Sequence, residues 1–65
     1  QITLNGKPYL LDKPINLTQL SQDLQLEPTQ FAIERNCEIV PRSLYEETLL
    51  SNGDVVEIVA FIGGG

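Results

Sequence analysis

The residues of this chain best suited to chemistry stand at its end, where Gly63, Gly64 and Gly65 follow a strand-like run from Val55 to Ile62. Consecutive glycines add no side-chain contact and lose more conformational freedom on ordering than any other residue. Extended, the three reach about 10 Å past Ile62. Without Cβ atoms they can thread a channel too narrow for any other residue type, and they present an unhindered carboxylate. Such a carboxylate acylates nothing until its oxygen becomes a good leaving group, as in an acyl-adenylate. The rest of the chain has no means of activating it: there is no histidine and no glycine-rich phosphate loop with its lysine. If the tail reacts, the catalyst belongs to a partner, and this chain is a substrate or carrier and not an enzyme. A frayed terminus is the competing reading. The abrupt passage from strand to glycine argues against it.

The other reactive side chains are weaker candidates. Cys37 is the single cysteine, so no internal disulfide can form and a stapled secreted mini-protein is excluded. With no histidine either, thiolate or imidazole zinc sites cannot be assembled, and no bound metal is expected. No lysine adjoins Cys37 to favour its thiolate, and Arg35 is the one base close in sequence. Cys37 reads as a small residue in a tight turn. Arg35 and Arg42 read as solvated rim residues and not as a nucleotide clamp.

Composition narrows the partners. Four Lys or Arg against nine Asp or Glu give a net charge of -5. That balance argues against gripping a nucleic-acid backbone and against a polybasic membrane contact. Glu34, Glu46, Glu47 and Glu57 form a diffuse field suited to steering toward a larger, more basic protein. Sixty-five residues make one domain, spanning 1–65, too short for a Rossmann unit or a barrel. With no apolar run of about 20 residues and no signal peptide, the cytoplasm is the expected location. So little surface to spare predicts a monomer when free.

A small framework must hold the tail. Asn5-Gly6 is a strong hairpin signal; a two-residue turn sets Leu4 opposite Lys7 and Ile2 opposite Tyr9. Ile2, Leu4, Tyr9 and Leu11 then share the buried face. Pro8, which cannot donate to a ladder, marks the second strand as an edge. Asn16 is the expected helix N-cap, with Gln19 as its capping-box partner and Ile15 and Leu20 as a hydrophobic staple. Leu17, Leu20 and Leu24 supply the apolar stripe, and Pro28 is expected to stop the helix. Residues 31–36 read as a strand, Cys37-Glu38 as a tight connection, and Ile39-Val40 as a short strand ended by Pro41. Residues 42–48 suggest a helical or 3₁₀ turn with Leu44 or Tyr45 inward. Asn52-Gly53-Asp54 is a turn, and 55–62 a strand with neighbours on both sides. Val56, Ile58 and Ala60 face the helix; Val55, Glu57, Val59 and Phe61 face away. Val59 and Phe61, with Ile39, form a candidate partner-docking surface. The pattern is an α+β fold of two layers, one main helix across a mixed sheet.

Four segments carry a family resemblance: I-x-L-N-G at 2–6, AIERN at 32–36, VPR at 40–42 and GDVVEIVAFIGGG at 53–65. Together they span the whole chain, and it resembles the ThiS family of sulfur carriers in thiamine biosynthesis. The resemblance implies a β-grasp, ubiquitin-like arrangement whose last strand returns parallel to the first, followed by a flexible tail at 63–65. It implies that Gly65 is adenylated by an E1-like adenylyltransferase of the ThiF type, using ATP bound by that partner and not by this chain. Sulfur from a cysteine persulfide then converts the adenylate to a thiocarboxylate, consumed by a thiazole synthase of the ThiG type. Gly64 is the other half of the diglycine, and Gly63 a less strictly required neighbour in tail recognition. A diglycine end alone would equally suit a molybdopterin-synthase small subunit or a protein modifier; ERN, VPR and the short length disfavour that alternative. A pure interaction domain with incidental glycines is the other.

The threading argument makes a direct prediction. Gly65→Ala slows acylation by at least about tenfold, equivalent to about 1.4 kcal/mol of transition-state binding, while the thermal midpoint stays put. Equal single-turnover rates for the two proteins would contradict it.

Overall fold

A computed structural model describes residues 1–27 and 29–60. Its elements are β1 (Ile2–Leu4), β2 (Lys7–Tyr9), α1 (Leu17–Asp23), β3 (Phe31–Arg35), β4 (Glu38–Ile39), a 3₁₀ turn (Arg42–Glu47) and β5 (Val55–Ala60). The strands form one mixed sheet in the order β2-β1-β5-β3-β4. β5 lies at its centre, parallel to β1 and antiparallel to β3.

The first hairpin has the expected register, Ile2 opposite Tyr9 and Leu4 opposite Lys7. Asn5 and Gly6 both take positive φ, 51° and 82°, the signature of a I′ turn whose twist matches the flanking strands. Ile2 is buried, and Leu4, Tyr9 and Leu11 pack against the core. β2 is an outer strand, so Pro8 leaves no gap between paired strands.

The helix starts as its sequence dictates. The Asn16 side chain accepts from the Gln19 N–H at 2.8 Å, and the Gln19 side chain accepts from the Asn16 N–H at 3.0 Å. Its N-terminal turn is fastened to the segment before β5 by Leu17 N–H to Thr48 C=O and Leu50 N–H to Ile15 C=O. Leu17 and Leu20 are fully buried. They pack with Ile2, Ile15, Phe31, Ile33, Tyr45, Leu50 and Val56 in one core between helix and sheet. Tyr45, and not Leu44, is the inward residue of the 3₁₀ turn, stacked near Phe31 with ring centroids 6.4 Å apart.

Two boundaries differ from the sequence reading. The helix ends at Asp23, upstream of Pro28, which itself lies outside the described residues. The stop is a Schellman arrangement: Leu26 N–H bonds Ser21 C=O, Gln25 N–H bonds Gln22 C=O, and Gln25 takes φ 57°. Leu26, brought round by this reversal, packs against the core. The turn after β3 is Asn36-Cys37 and not Cys37-Glu38, because Arg35 pairs with Glu38 and Glu34 with Ile39. Val40 follows β4 without belonging to it, although its N–H bonds Ile33 C=O.

That second turn repeats the first with one substitution. Asn36 and Cys37 have φ of 52° and 72°, close to those of Asn5 and Gly6, but Cys37 carries a Cβ. A left-handed conformation costs an L-residue roughly 1–2 kcal/mol. Part of that is offset by the greater freedom of glycine in the unfolded chain. Cys37→Gly is therefore expected to stabilise the domain by about 1 kcal/mol, a rise of roughly 4–8 °C in thermal midpoint. A lower midpoint would show that the thiol makes a compensating contact.

Candidate functional site

The tail glycines and Phe61 lie outside the described residues, so the site is built from what holds β5 and from the surface around it. β5 is positioned from both sides. On one side, β3 pairs with it residue by residue, from Arg35 opposite Val56 to Phe31 opposite Ala60. On the other, β1 covers only Val55 and Val56 before its hairpin turns away. There Asn5 extends the contact: its N–H donates to Val56 C=O at 2.9 Å, and its Oδ1 accepts from Ile58 N–H at 2.8 Å.

The start of β5 is held by a polar cluster. The nearly buried Asp54 carboxylate accepts from Arg35 Nε at 2.9 Å, Asn36 Nδ2 at 3.1 Å and the Ser51 N–H at 2.8 Å. Asn36 Oδ1 accepts in turn from Val55 N–H at 2.9 Å. The Asn36-Cys37 turn, the turn before β5 and β5 itself thus share one network. Burial alone would raise the Asp54 pKa, but the Ser51 N–H, the Asn36 amide and the Arg35 guanidinium together bring it below the ordinary value. Arg35 is therefore an anchored ion-pair partner and not a solvated rim residue. Arg42 stays on the exposed rim, its Nη2 donating to Phe31 C=O at 3.1 Å.

The sheet face turned away from the helix is open. Ile39, Val55 and Val59 are 58%, 43% and 42% exposed on it, and the Glu34–Glu57 cross-strand pair lies among them. The structure thus brings Val59 and Ile39 of the expected docking surface onto one face. Val55 joins them. On the helix side Val56 is buried and Ile58 packs on the core, while Ala60 is exposed at the strand end. Cys37 is exposed on its turn, with Arg35 committed to Asp54.

Among the described residues, shallow clefts of about 230, 210 and 260 Å³ indent the surface, each below the roughly 300–1,000 Å³ typical of ligand pockets. No group of three or more His, Cys, Asp or Glu side chains is placed to hold a metal among the described residues. No helix among them is long and apolar enough to cross a membrane.

A helix packed on a five-stranded mixed sheet, with parallel first and last strands and a sequence running on into glycines, defines the ubiquitin-like β-grasp class. Within that class the chain belongs to the ThiS family, which matches residues 2–65. It is 42% identical to the sulfur carrier protein ThiS of Bacillus subtilis (strain 168), over 98% of each chain. The crystal structure of the thiamine biosynthesis protein ThiS from Geobacter metallireducens superposes with a TM-score of 0.85 at 34% identity, covering 98% of this chain and 97% of that one. A thiazole synthase of Paramagnetospirillum magneticum is 38% identical over the full chain, which spans only 20% of that longer protein.

The sequence reading missed Asp54, Asn5 and Asn36 as framework residues. Each stands in or beside a turn, where Asn and Asp commonly bond nearby backbone; Asp54 does so with Ser51, but its other partners and those of Asn5 and Asn36 lie far along the chain.

Asp54 yields a prediction about acid stability. Its pKa is lower folded than unfolded, so its contribution is complete above the unfolded carboxylate range, about pH 4. It is lost as pH falls through the folded value. Asp54→Asn is expected to lower stability by about 2–3 kcal/mol at neutral pH, measured by urea denaturation, with the difference narrowing below about pH 4. A difference that is constant across that range would show that the charge of Asp54 is not what stabilises the network.

Proposed function

We propose that this chain is a sulfur carrier for thiazole formation in thiamine biosynthesis, and that it works as the substrate of its partners and not as an enzyme. The observation that carries the reading is the family match, which runs through residue 65 and so includes the glycine tail. In this reading the Gly65 carboxylate attacks the α-phosphate of ATP held by an E1-like adenylyltransferase, releasing pyrophosphate. The terminal sulfur of a cysteine persulfide then displaces AMP. A thiol cleaves the resulting acyl disulfide, leaving a thiocarboxylate on Gly65. Gly64 and Gly63 pass through the partner's channel because they lack side chains.

A thiocarboxylate is well suited to such a transfer, being a sulfur nucleophile that can be handed over without releasing free sulfide. Thiazole synthase is the recipient that the relatives favour, since proteins of that name contain a stretch similar to this entire chain. That likeness weighs against the molybdopterin-type alternative. ATP is bound by the activating partner. The exposed Val59 and Ile39, together with Phe61, provide the apolar docking surface, and the charge of -5 speeds encounter with a basic partner in the cytoplasm.

Intact-protein mass spectrometry tests the proposal. After incubation with the adenylyltransferase, ATP and a persulfide donor, the mass should rise by the difference between one sulfur and one oxygen. The chain lacking Gly64 and Gly65 should stay unchanged. An unmodified full chain in the presence of an activator competent on another carrier would sink the carrier reading.

A further inference from the structure

The two sides of β5 are unequally used. β3 accompanies it through Ala60, whereas β1 leaves after Val56. Backbone groups alternate in direction along a strand. Asn36 N–H bonds Val55 C=O on the β3 side, while Asn5 N–H bonds Val56 C=O on the β1 side. Residues 56, 58 and 60 therefore direct their N–H and C=O groups toward β1. The Ile58 N–H is met by Asn5 Oδ1. Beyond it, the Ile58 C=O and the Ala60 N–H have no partner among the described residues. The central strand of the sheet thus becomes an open edge over its last described residues, immediately before the tail.

We infer that this edge receives an extended segment of the enzyme that activates the tail, added as a further strand in line with β1 and stacked beyond the Asn5-Gly6 turn. The inference rests on the carrier reading for the identity of the occupant. Main-chain hydrogen bonds supply affinity in such strand addition, and pockets for alternate side chains supply selectivity. Both are present here. Alternate residues of an added strand project to the helix side next to Ile58 and Ala60. These two residues line an open cleft of about 260 Å³ with Leu26 and Phe31. The incoming strand therefore carries an apolar residue at that position.

Location also selects the occupant. A strand held along Ile58–Ala60 fixes the direction in which the chain leaves the domain, only five residues before Gly65. It lowers the entropy cost of ordering a glycine tail, because the tail's root is already extended. A second copy of the chain is a poorer occupant: each copy carries a charge of -5, and so short an edge offers few bonds to overcome their repulsion.

Backbone chemistry can test this without altering a side chain. Cys37 permits ligation of a 1–36 thioester to a synthetic 37–65 peptide, giving the full chain with an ester in place of the Val59–Ala60 amide. This removes only the Ala60 N–H donor and weakens one carbonyl. A second ester, at Val56–Glu57, removes the Glu57 N–H that points toward β3, leaves the Ile58 and Ala60 edge groups intact and serves as the control. The Val59–Ala60 ester should bind the adenylyltransferase about three- to tenfold more weakly than the all-amide chain, with a urea midpoint lowered only slightly, through the weaker Val59 C=O facing β3, and less than in the control. The control should lose stability. Unchanged affinity for the Val59–Ala60 ester would overturn the inference, as would an affinity loss matched by an equal loss of stability. A dimer of the free chain that dissociates on esterification would overturn it by assigning the edge to a second copy. Thiocarboxylate formation on the all-amide chain is scored separately, so failure of the carrier reading is distinguishable from failure of strand addition.

Discussion

The whole molecule depends on one strand having to do two jobs. β5 is the spine of the sheet, hydrogen-bonded on both sides, and it is also the segment from which the glycines depart. A parallel partner cannot be reached by a tight turn, so the chain between β1 and β5 must cross the sheet. That crossing contains the helix, β3, β4 and the 3₁₀ turn. Val56, fully buried at the point where β1, β3 and β5 run side by side, is where the crossing closes on itself. The core is then built around a strand whose other end leads into the glycines.

Polar groups complete what the small core begins. The described residues contain no buried side-chain nitrogen or oxygen without a partner, and side chains near turns supply much of that satisfaction. Asn5 accepts from the N–H of Ile58 where β1 has turned away; Asn36 accepts from Val55 N–H where β3 has ended. Both asparagines do so from left-handed backbone, where Asn is better tolerated than most residues. Asp54 gathers the remaining donors around Arg35. An isolated charge so nearly buried would be unfavourable; three donors, one of them its ion-pair partner Arg35, make it a fastening instead.

Local chemistry was the legible part of the sequence. Asn5-Gly6 announces its hairpin, Asn16 and Gln19 announce the helix start, and the alternation along β5 separates core from surface because Glu57 marks the outer side. Where a residue type departs from the usual preference, the boundary moved. Gln25 occupies a helix-ending position that glycine usually fills, so nothing before Pro28 signals the stop. Cys37 occupies the position that Gly6 fills in the other hairpin, which displaced the expected turn by one residue. The Asp54 network and the Asn5 contact with β5 join residues 18 to 53 positions apart. No local pattern encodes such pairings; they emerge only once the sheet order is known. The tail glycines were conspicuous from the first, and their meaning came from chemistry and family, since the described structure stops at Ala60.

The arrangement of β5 has a mechanical side as well. A pull applied through the C-terminal segment acts along the axis of a strand bonded to β3 and, at its start, to β1. Bonds lying across the direction of pull share a load in shear, whereas bonds at a peeled edge would yield one after another. Forced unfolding is governed by the unfolding barrier and not by equilibrium stability. A domain with few buried residues can therefore resist traction on its C-terminal end better than its thermal stability suggests.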